Sequence, residues 1–462
     1  MKITLNTNKK VLLSELLTEN GIHVSMPCGG NGKCGKCLVK LNGETVRACS
    51  TYAEGSCVIE VSDDSEGTIL QGGDSTVVPN PPREGFGAAV DLGTTTIAVS
   101  VFNLLTGMKT GDERAWNAQK SYGADVISRI DYINKNPDGL QELSSLVRNQ
   151  VREMISAYDV TEIMISGNTV MQHIFAGISP SGIAVAPFTP TTLFDDFRDE
   201  LDGIPVYYAP CIAGYVGGDI VSGLLATGLY DSEKPVMFID IGTNGEMSIG
   251  NRDGIFCCAV ACGPAFEGAE ISCGMPGLAG AVSHVENEDG KLSYETIGNT
   301  EARGICGSGL IDLLSVLLET GDLDQSGRLE NKLFRLTDTV SVNHADVRKL
   351  QLAKAAVRAG ISVLMSETGL SFDDIDALYL GGGFGTFLKG ESAVAIDMLP
   401  AELLRKIKPV GNASLNGASI ALLCTEQRKK LIEIQRKCRY IELSGNSMFN
   451  DEFVEHMLFG EE

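Results

Sequence analysis

The sequence is short of positive charge, with 37 Lys and Arg against 60 Asp and Glu and a formal net charge of −23. The field of such a molecule repels phosphate, which argues against non-specific binding to DNA, RNA or anionic lipid. An apolar leader is also missing: MKITLNTNKK alternates polar and apolar residues like a strand and has no h-region, so a cytoplasmic location is expected. No run is apolar enough to span a membrane. The longest stretch without acidic or basic residues, Ile163 to Phe194, is broken by Asn168, Gln172, His173, Pro180, Pro187 and Pro190. There is no Walker-type G-x-x-x-x-G-K-[ST] loop and no convincing G-x-G-x-x-G. A disulfide framework is not expected either. Thirteen cysteines without a secretory signal point to metal binding wherever they have ligand spacing.

What remains is ordinary globular material. At 462 residues, 43% hydrophobic and 21% charged, the chain reads as two or three folded domains. Residues 2 to 6 read as a strand, and Leu12 to Asn20 as a short helix closed by Gly21. Strands at Cys37–Leu41 and Glu44–Ala48 flank Asn42-Gly43, a strong hairpin signal, and Cys57–Val61 reads as another strand. From Ser62 to Gly87 the composition turns to Asp, Ser, Gly and Pro, as in an extended linker. Beyond it a repeat appears, AAVDLGTTTIAVSVF from Ala88 returning as MFIDIGTNGEMSIG from Met237. Helical periodicity runs through Gly218–Leu229, Gly309–Glu319 and Ala345–Thr368. One duplication among alternating strands and helices predicts two similar α/β lobes around a cleft.

Four cysteines have ligand spacing. The run PCGGNGKCGKC supplies Cys28, Cys34 and Cys37, and Cys49 follows in VRACS. Three thiolates in one loop and a fourth beyond a hairpin match plant-type 2Fe-2S ligation, although the intervals of five, two and eleven residues mark a variant. Gly29, Gly30, Gly32 and Gly35 let backbone amides turn toward cluster sulfurs. A structural zinc site uses the same C-x-x-C step and is the competing reading, and Cys57 is an alternative fourth ligand. The other cysteines, including Cys262, Cys273 and Cys306, read as small buried hydrophobes.

Each repeat copy carries D-x-G-T between two strands, a turn that aims backbone amides and hydroxyls at a phosphate while the Asp holds magnesium through water. A glycine-rich turn, LGGGFG, follows the apolar strand Ala377–Leu380. This order of motifs resembles the actin-like ATPase superfamily of sugar kinases, acetate kinases and heat-shock chaperones, over residues 88 to about 424. By that resemblance Asp91, Gly93, Thr94 and Thr95 form a first phosphate loop, and Asp240, Gly242, Thr243 and Asn244 a second. Gly381, Gly382, Gly383 and Gly385 approach the adenosine. Asp219, in GGDIVSGLLATG, is the candidate for orienting water or magnesium; a helix-start acid favoured by the dipole is its plainer reading. Glu246 and Asn168 are polar residues that line the cleft or simply cap turns.

A ferredoxin unit ahead of such an ATPase is similar to the reductive activators of corrinoid proteins. GADVISRI, GNTVMQHIF, ACGPAFEGAEISCGMPG, RGICGSGLIDLL and KAAVRAGI have that family's look. The resemblance implies an α/β protein: a β-grasp ferredoxin-like domain at 1–62, a linker at 63–86, and a two-lobed, ribonuclease H-like ATPase domain. Its lobes span 87–235 and 236–462, with the C-terminal segment returning to the first. It further implies a 2Fe-2S cluster, ATP and Mg2+ as cofactors, a corrinoid protein of a methyltransferase system as partner, an external low-potential electron donor, and a homodimer. The implied activity is ATP-dependent reduction of Co(II) to Co(I). The joining segment is shorter than the family commonly carries, as though a middle domain were missing. An activator of a non-corrinoid enzyme and a small-molecule kinase with a redox-sensing domain are the alternatives.

Overall fold

The computed structural model describes residues 2–20, 38–60, 77–123, 125–242, 244–268, 270–288 and 290–460. The chain divides into two compact units, Met1–Thr76 and Val77–Glu462.

The small unit consists of β1 (Lys2–Leu12), α1 (Leu13–Glu19), β2 (Leu38–Leu41), β3 (Glu44–Arg47) and β4 (Tyr52–Glu60), in a sheet ordered β1-β4-β2-β3. Asn42 and Gly43 both take positive φ, 51° and 93°, as a two-residue hairpin turn requires. The Asn42 side chain then accepts from the amide of Val58 at 2.8 Å and ties the turn to β4. The sheet is longer than the sequence pattern predicts. β1 runs on to Leu12, and β4 starts at Tyr52 because Gly55, at φ 75°, sits at a shift of register between Thr7 and Val11 without ending the strand. Leu13, Leu16, Leu17, Val39, Cys57 and Ile59 form the core.

The larger unit begins before its first sheet. Within residues 77–85, Arg83 ion-pairs with Glu162 at 2.6 Å and donates to the Leu422 carbonyl at 2.5 Å, so this proline-rich stretch is fastened to the unit. The first lobe comprises β5 (Phe86–Leu92), β6 (Thr96–Asn103), β7 (Lys109–Trp116), α2 (Val126–Lys135), α3 (Gly139–Ile155), β8 (Val160–Gly167), α4 (Thr169–Phe175), β9 (Arg198–Leu201), β10 (Ile204–Tyr208) and α5 (Gly218–Thr227). Its sheet is ordered β7-β6-β5-β8-β10-β9. Central strands β5 and β8 pair in parallel and are buried almost throughout, as strands covered on both faces are. On α3, Leu143, Val147, Val151 and Met154 recur at helical spacing and are buried.

The second lobe comprises β11 (Val236–Ile241), β12 (Gly245–Asn251), β13 (Gly254–Val260), β14 (Ala281–Glu288), β15 (Lys291–Thr296), β16 (Gly304–Ile305), α6 (Gly307–Thr320), β17 (Leu333–Arg335), β18 (Ser341–Asn343) and α7 (His344–Thr368). It continues through β19 (Ala377–Gly381), α8 (Gly382–Gly385), α9 (Gly390–Ala395), β20 (Ile407–Gly411), α10 (Ala413–Leu423), α11 (Thr425–Lys437), β21 (Cys438–Tyr440) and α12 (Ser447–Glu455). Its main sheet, β20-β19-β11-β12-β13-β21, repeats the first. In each, an antiparallel three-strand meander (β5–β7, β11–β13) is joined in parallel by a later strand, β8 or β19. The duplication read from the sequence is therefore a duplication of topology. Helix α10, from the end of the chain, packs on β5, β8 and α5 of the first lobe. Among the described residues no helix is long and apolar enough to cross a membrane.

Candidate functional site

The two D-x-G-T motifs occupy equivalent places. Asp91 lies near the end of β5, in register with Ser166 of β8, and Gly93, Thr94 and Thr95 form the turn to β6. A Cβ on Gly93 would stand 2.5 Å from the Thr96 carbonyl, so only glycine fits this turn. Asp240 lies near the end of β11, in register with Glu246 of β12 and Gly381 of β19. Gly242 closes the second turn, its amide donating to the Asn244 carbonyl at 2.9 Å. Thr243 lies outside the described residues, as do Cys28, Cys34 and Cys37.

Side chains from elsewhere hold the first turn. Asn117 donates to the Gly93 carbonyl at 2.9 Å, Arg129 to the Thr94 carbonyl at 2.6 Å, and Asn168 to the Thr94 hydroxyl at 2.9 Å. Asn168 also caps α4 by accepting from the Met171 amide, so the cap and the cleft roles coincide. Arg129 is fully buried and further bonded to Gln119 and to the Gly123 carbonyl. Burial lowers its pKa to about 10, which leaves it charged at neutral pH. Replacing Arg129 by Met would strand the Thr94 and Gly123 carbonyls, at about 1–3 kcal/mol each. Calorimetric unfolding of Arg129→Met is expected to show a lower midpoint, and titration with nucleotide a weaker affinity as the turn loosens.

Asp91 accepts from Asn412 at 2.8 Å and from Ser414 at 2.7 Å, both at the start of α10. Ser414 is bonded in turn to Ser166, and Ser166 to Ser222 of α5. Asp219, in the first turn of α5, accepts from the Ile220 amide at 2.8 Å, which is the plain helix-start role. It also stands near enough to Asp91 and Asp240 for their charges to matter. Asp91, Asp219, Asp240 and Glu246 each keep some accessible surface because they face the crevice, yet protein surrounds each of them. Burial raises all four pKa values. Neighbouring charge adds to it: Asp219 reaches about 7, pushed further by Asp91, and Asp240 about 8, pushed by Asp219 and Asp91. Glu246 is raised by burial and then by Asp219 and Asp240.

This arrangement has a pH signature. A carboxyl whose folded pKa exceeds its unfolded value holds its proton more tightly in the native state. The stability it contributes is complete below the ordinary carboxylate pKa and is lost as pH rises to the folded value. The protein should therefore lose stability as pH rises to about 8. Unfolding calorimetry across that range checks this.

The glycine-rich turn divides. A Cβ on Gly381 would meet Asp240 Oδ2 at 3.3 Å; on Gly382, at φ 80°, it would meet Oδ1 at 2.7 Å. Gly385 packs behind Leu380, whereas Gly383 has open space around it. The first two glycines thus make room for the Asp240 carboxylate.

Sequence reasoning missed Arg129, Asn117, Asn412, Ser414 and Glu267. Arg129 did leave a signal, because it occupies the buried stripe of α2 with Val126, Ile130 and Ile133. Glu267, in the short 3-10 turn Pro264–Glu267, accepts from the Thr95 hydroxyl at 3.3 Å across the cleft. In the small unit, Cys49 is buried in the turn after β3, and Cys57 is buried within β4, in register with Leu5. Cys262 and Cys306 are buried and bonded to the carbonyls of Val260 and Val282, and Cys273 stands 3.7 Å from the Ser341 hydroxyl.

Comparison with known proteins accounts for the whole chain. A family described as the 2Fe-2S iron-sulfur cluster binding domain matches residues 2–70, the RACo middle region matches 86–232, and the C-terminal domain of RACo, the ASKHA domain, matches 234–462. The RACo middle region coincides with the first lobe, and the C-terminal domain with the second. The corrinoid activation enzyme RamQ of Eubacterium limosum is 26% identical, covering 99% of this chain and 98% of its own. The Co(II) methylated amine-specific corrinoid protein reductase of Methanosarcina barkeri is 24% identical, covering 80% of this chain and 76% of its own. A solved structure of a reductive activator for corrinoid, iron-sulfur protein is 31% identical, with a TM-score of 0.75 over 98% of this chain and 96% of that one. The chain belongs to the family of reductive activators of corrinoid proteins, an iron–sulfur domain followed by an ATP-binding domain of the actin-like ASKHA class.

Proposed function

We propose that this protein uses ATP, bound as its magnesium complex between the two Gly-Thr turns, to drive one electron from a 2Fe-2S cluster into a corrinoid protein, converting Co(II) to Co(I) for methyl transfer. The observation that carries the reading is the union in one chain of an iron–sulfur domain with an ATP-binding domain, in a family whose relatives act on corrinoid proteins. Cys28, Cys34, Cys37 and Cys49 would hold the cluster, which when bound supplies the single electron.

Asp91, Asp219 and Asp240 would hold magnesium. Among the described residues no three acids or histidines form a ready cage for a metal. Magnesium keeps several of its waters and takes other ligands from phosphate, so the acids would supply only part of its coordination. The raised carboxyls favour the same assignment, because a bound cation relieves their mutual repulsion. Gly93, Thr94 and Thr95 on one side and Gly242, Thr243 and Asn244 on the other would grip the phosphates. Gly383 and Gly385, with Gly381 and Gly382 placing Asp240, would border the nucleoside.

Plant-type clusters lie near about −400 mV, above the potential expected for the cobalt couple, so the transfer needs an energy input. Nucleotide can supply it only by favouring one conformation of the complex over another, and closure of the two lobes on nucleotide is the change this fold offers. An external low-potential donor restores the electron after each transfer. The protein would work in the cytoplasm, as a homodimer, with no nucleic-acid or membrane partner. ATP hydrolysis is expected to accelerate when the Co(II) corrinoid protein is added. An unchanged rate of phosphate release with and without that partner would sink the coupling.

A further inference from the structure

Glu267 is the one carboxylate in the described cleft that is bonded to a phosphate turn of the opposite lobe. Its Oε2 accepts from the Thr95 hydroxyl at 3.3 Å, and its Oε1 lies 3.9 Å from where a Cβ on Gly242 would stand. It therefore touches the first turn and borders the second, where the terminal phosphate of a bound nucleotide would sit if the reading above holds. The other acids of the cleft are placed differently. Asp91 is tied to Asn412 and Ser414, Asp219 to the start of its own helix, and Asp240 is set between Gly381, Gly382 and Glu246, so these acids form one mutually repelling group.

The short turn that carries Glu267 is fixed on both sides. Phe266 is buried, stacks on Phe384 with ring centroids 5.0 Å apart, and has its carbonyl so close to α6 that a Cβ on Gly307 would stand 1.9 Å from it. Gly268 takes φ 75°, and a Cβ there would lie 2.5 Å from the Met275 carbonyl. A side chain between two such anchors is held in position before any ligand arrives, while Glu267 itself remains half-exposed to the cleft.

We infer that Glu267 is the catalytic carboxylate of ATP hydrolysis, orienting the attacking water from the second lobe while Asp91, Asp219 and Asp240 serve the cation. The water oxygen bonds to the γ-phosphorus as the bond to the β,γ-bridging oxygen breaks. ADP leaves with that electron pair, and the water proton passes to Glu267 and then to solvent. The balance is ATP and water to ADP, phosphate and a proton. This inference rests on the nucleotide reading of the cleft and assigns to Glu267 a role that the sequence suggested for Asp219.

The test compares full-length wild-type protein with Glu267→Gln and Glu267→Asp. MgATP affinity is measured by calorimetry and single-turnover phosphate release by quench. Glu267→Gln is expected to bind MgATP within about threefold of wild type and to hydrolyse it at least about 100-fold more slowly, a loss typical of removing a general base. Glu267→Asp should recover part of the rate at unchanged affinity. If Glu267→Gln hydrolyses at near the wild-type rate, or loses affinity in proportion to rate, the inference fails and the nucleotide reading stands. If wild-type protein neither binds nor hydrolyses MgATP, both fail together.

Discussion

Replacing Asp240 by Asn is expected to lower ATP hydrolysis by about 1,000-fold, roughly 4 kcal/mol of transition-state stabilisation, while making the nucleotide-free protein more resistant to heat. Both effects come from one arrangement. Asp240 ends a central strand opposite Glu246, beside Gly381 and Gly382, whose lack of a Cβ leaves space for its carboxylate. Burial, then Asp219, then Asp91 push its pKa to about 8, so near neutral pH it is kept mostly protonated at a cost in stability. Asn is nearly the same size and cannot ionise, so the repulsion disappears and the fold gains. On the proposed assignment the cation would lose its charged anchor, and the reaction its electrostatic support. Phosphate-release kinetics and thermal unfolding without nucleotide check the pair of outcomes. Retained hydrolysis, or a less stable protein, would contradict the proposed role for this acid.

Cys49→Ser is expected to abolish corrinoid reduction and lose the iron and acid-labile sulfide, whereas Cys57→Ser keeps both. Cys57 lies within β4, in register with Leu5, and its thiol is 3.7 Å from the Glu54 carbonyl, which marks it as part of the core. Cys49 is buried in the same core, but it sits in the turn that leaves β3 and not within a strand. Serine at either position buries a hydroxyl, so both variants should lose some stability, about 1–3 kcal/mol, and only the metal content distinguishes them. Iron and sulfide analysis of anaerobically purified variants decides it. Loss of iron from Cys57→Ser with retention in Cys49→Ser would exchange the two assignments.

Local chemistry was the legible part of this chain. Asn42-Gly43 gave its hairpin because few other pairs tolerate positive φ twice in succession. The repeated D-x-G-T placed an aspartate near the end of a strand in each lobe; the first turn demands its glycine, whereas a Cβ on Gly242 would meet nothing closer than 3.9 Å. The asparagine and serine that grip Asp91 lie 321 and 323 residues away along the chain, and no local pattern announces such a pairing. Glu267 was hidden for a related reason. It sits in a loop with no period of its own, and its relation to Thr95 exists only once the two lobes face each other. The start of β4 was misread because a glycine inside a strand looks like an ending; here it accommodates a change of register.

The most direct measurement mixes reduced protein anaerobically with a Co(II) corrinoid protein and follows the cobalt EPR signal with and without MgATP. Loss of that signal only when reductant and nucleotide are both present is the predicted result. Equal loss without nucleotide, or ATP consumed while the signal persists, would contradict an ATP-driven electron transfer.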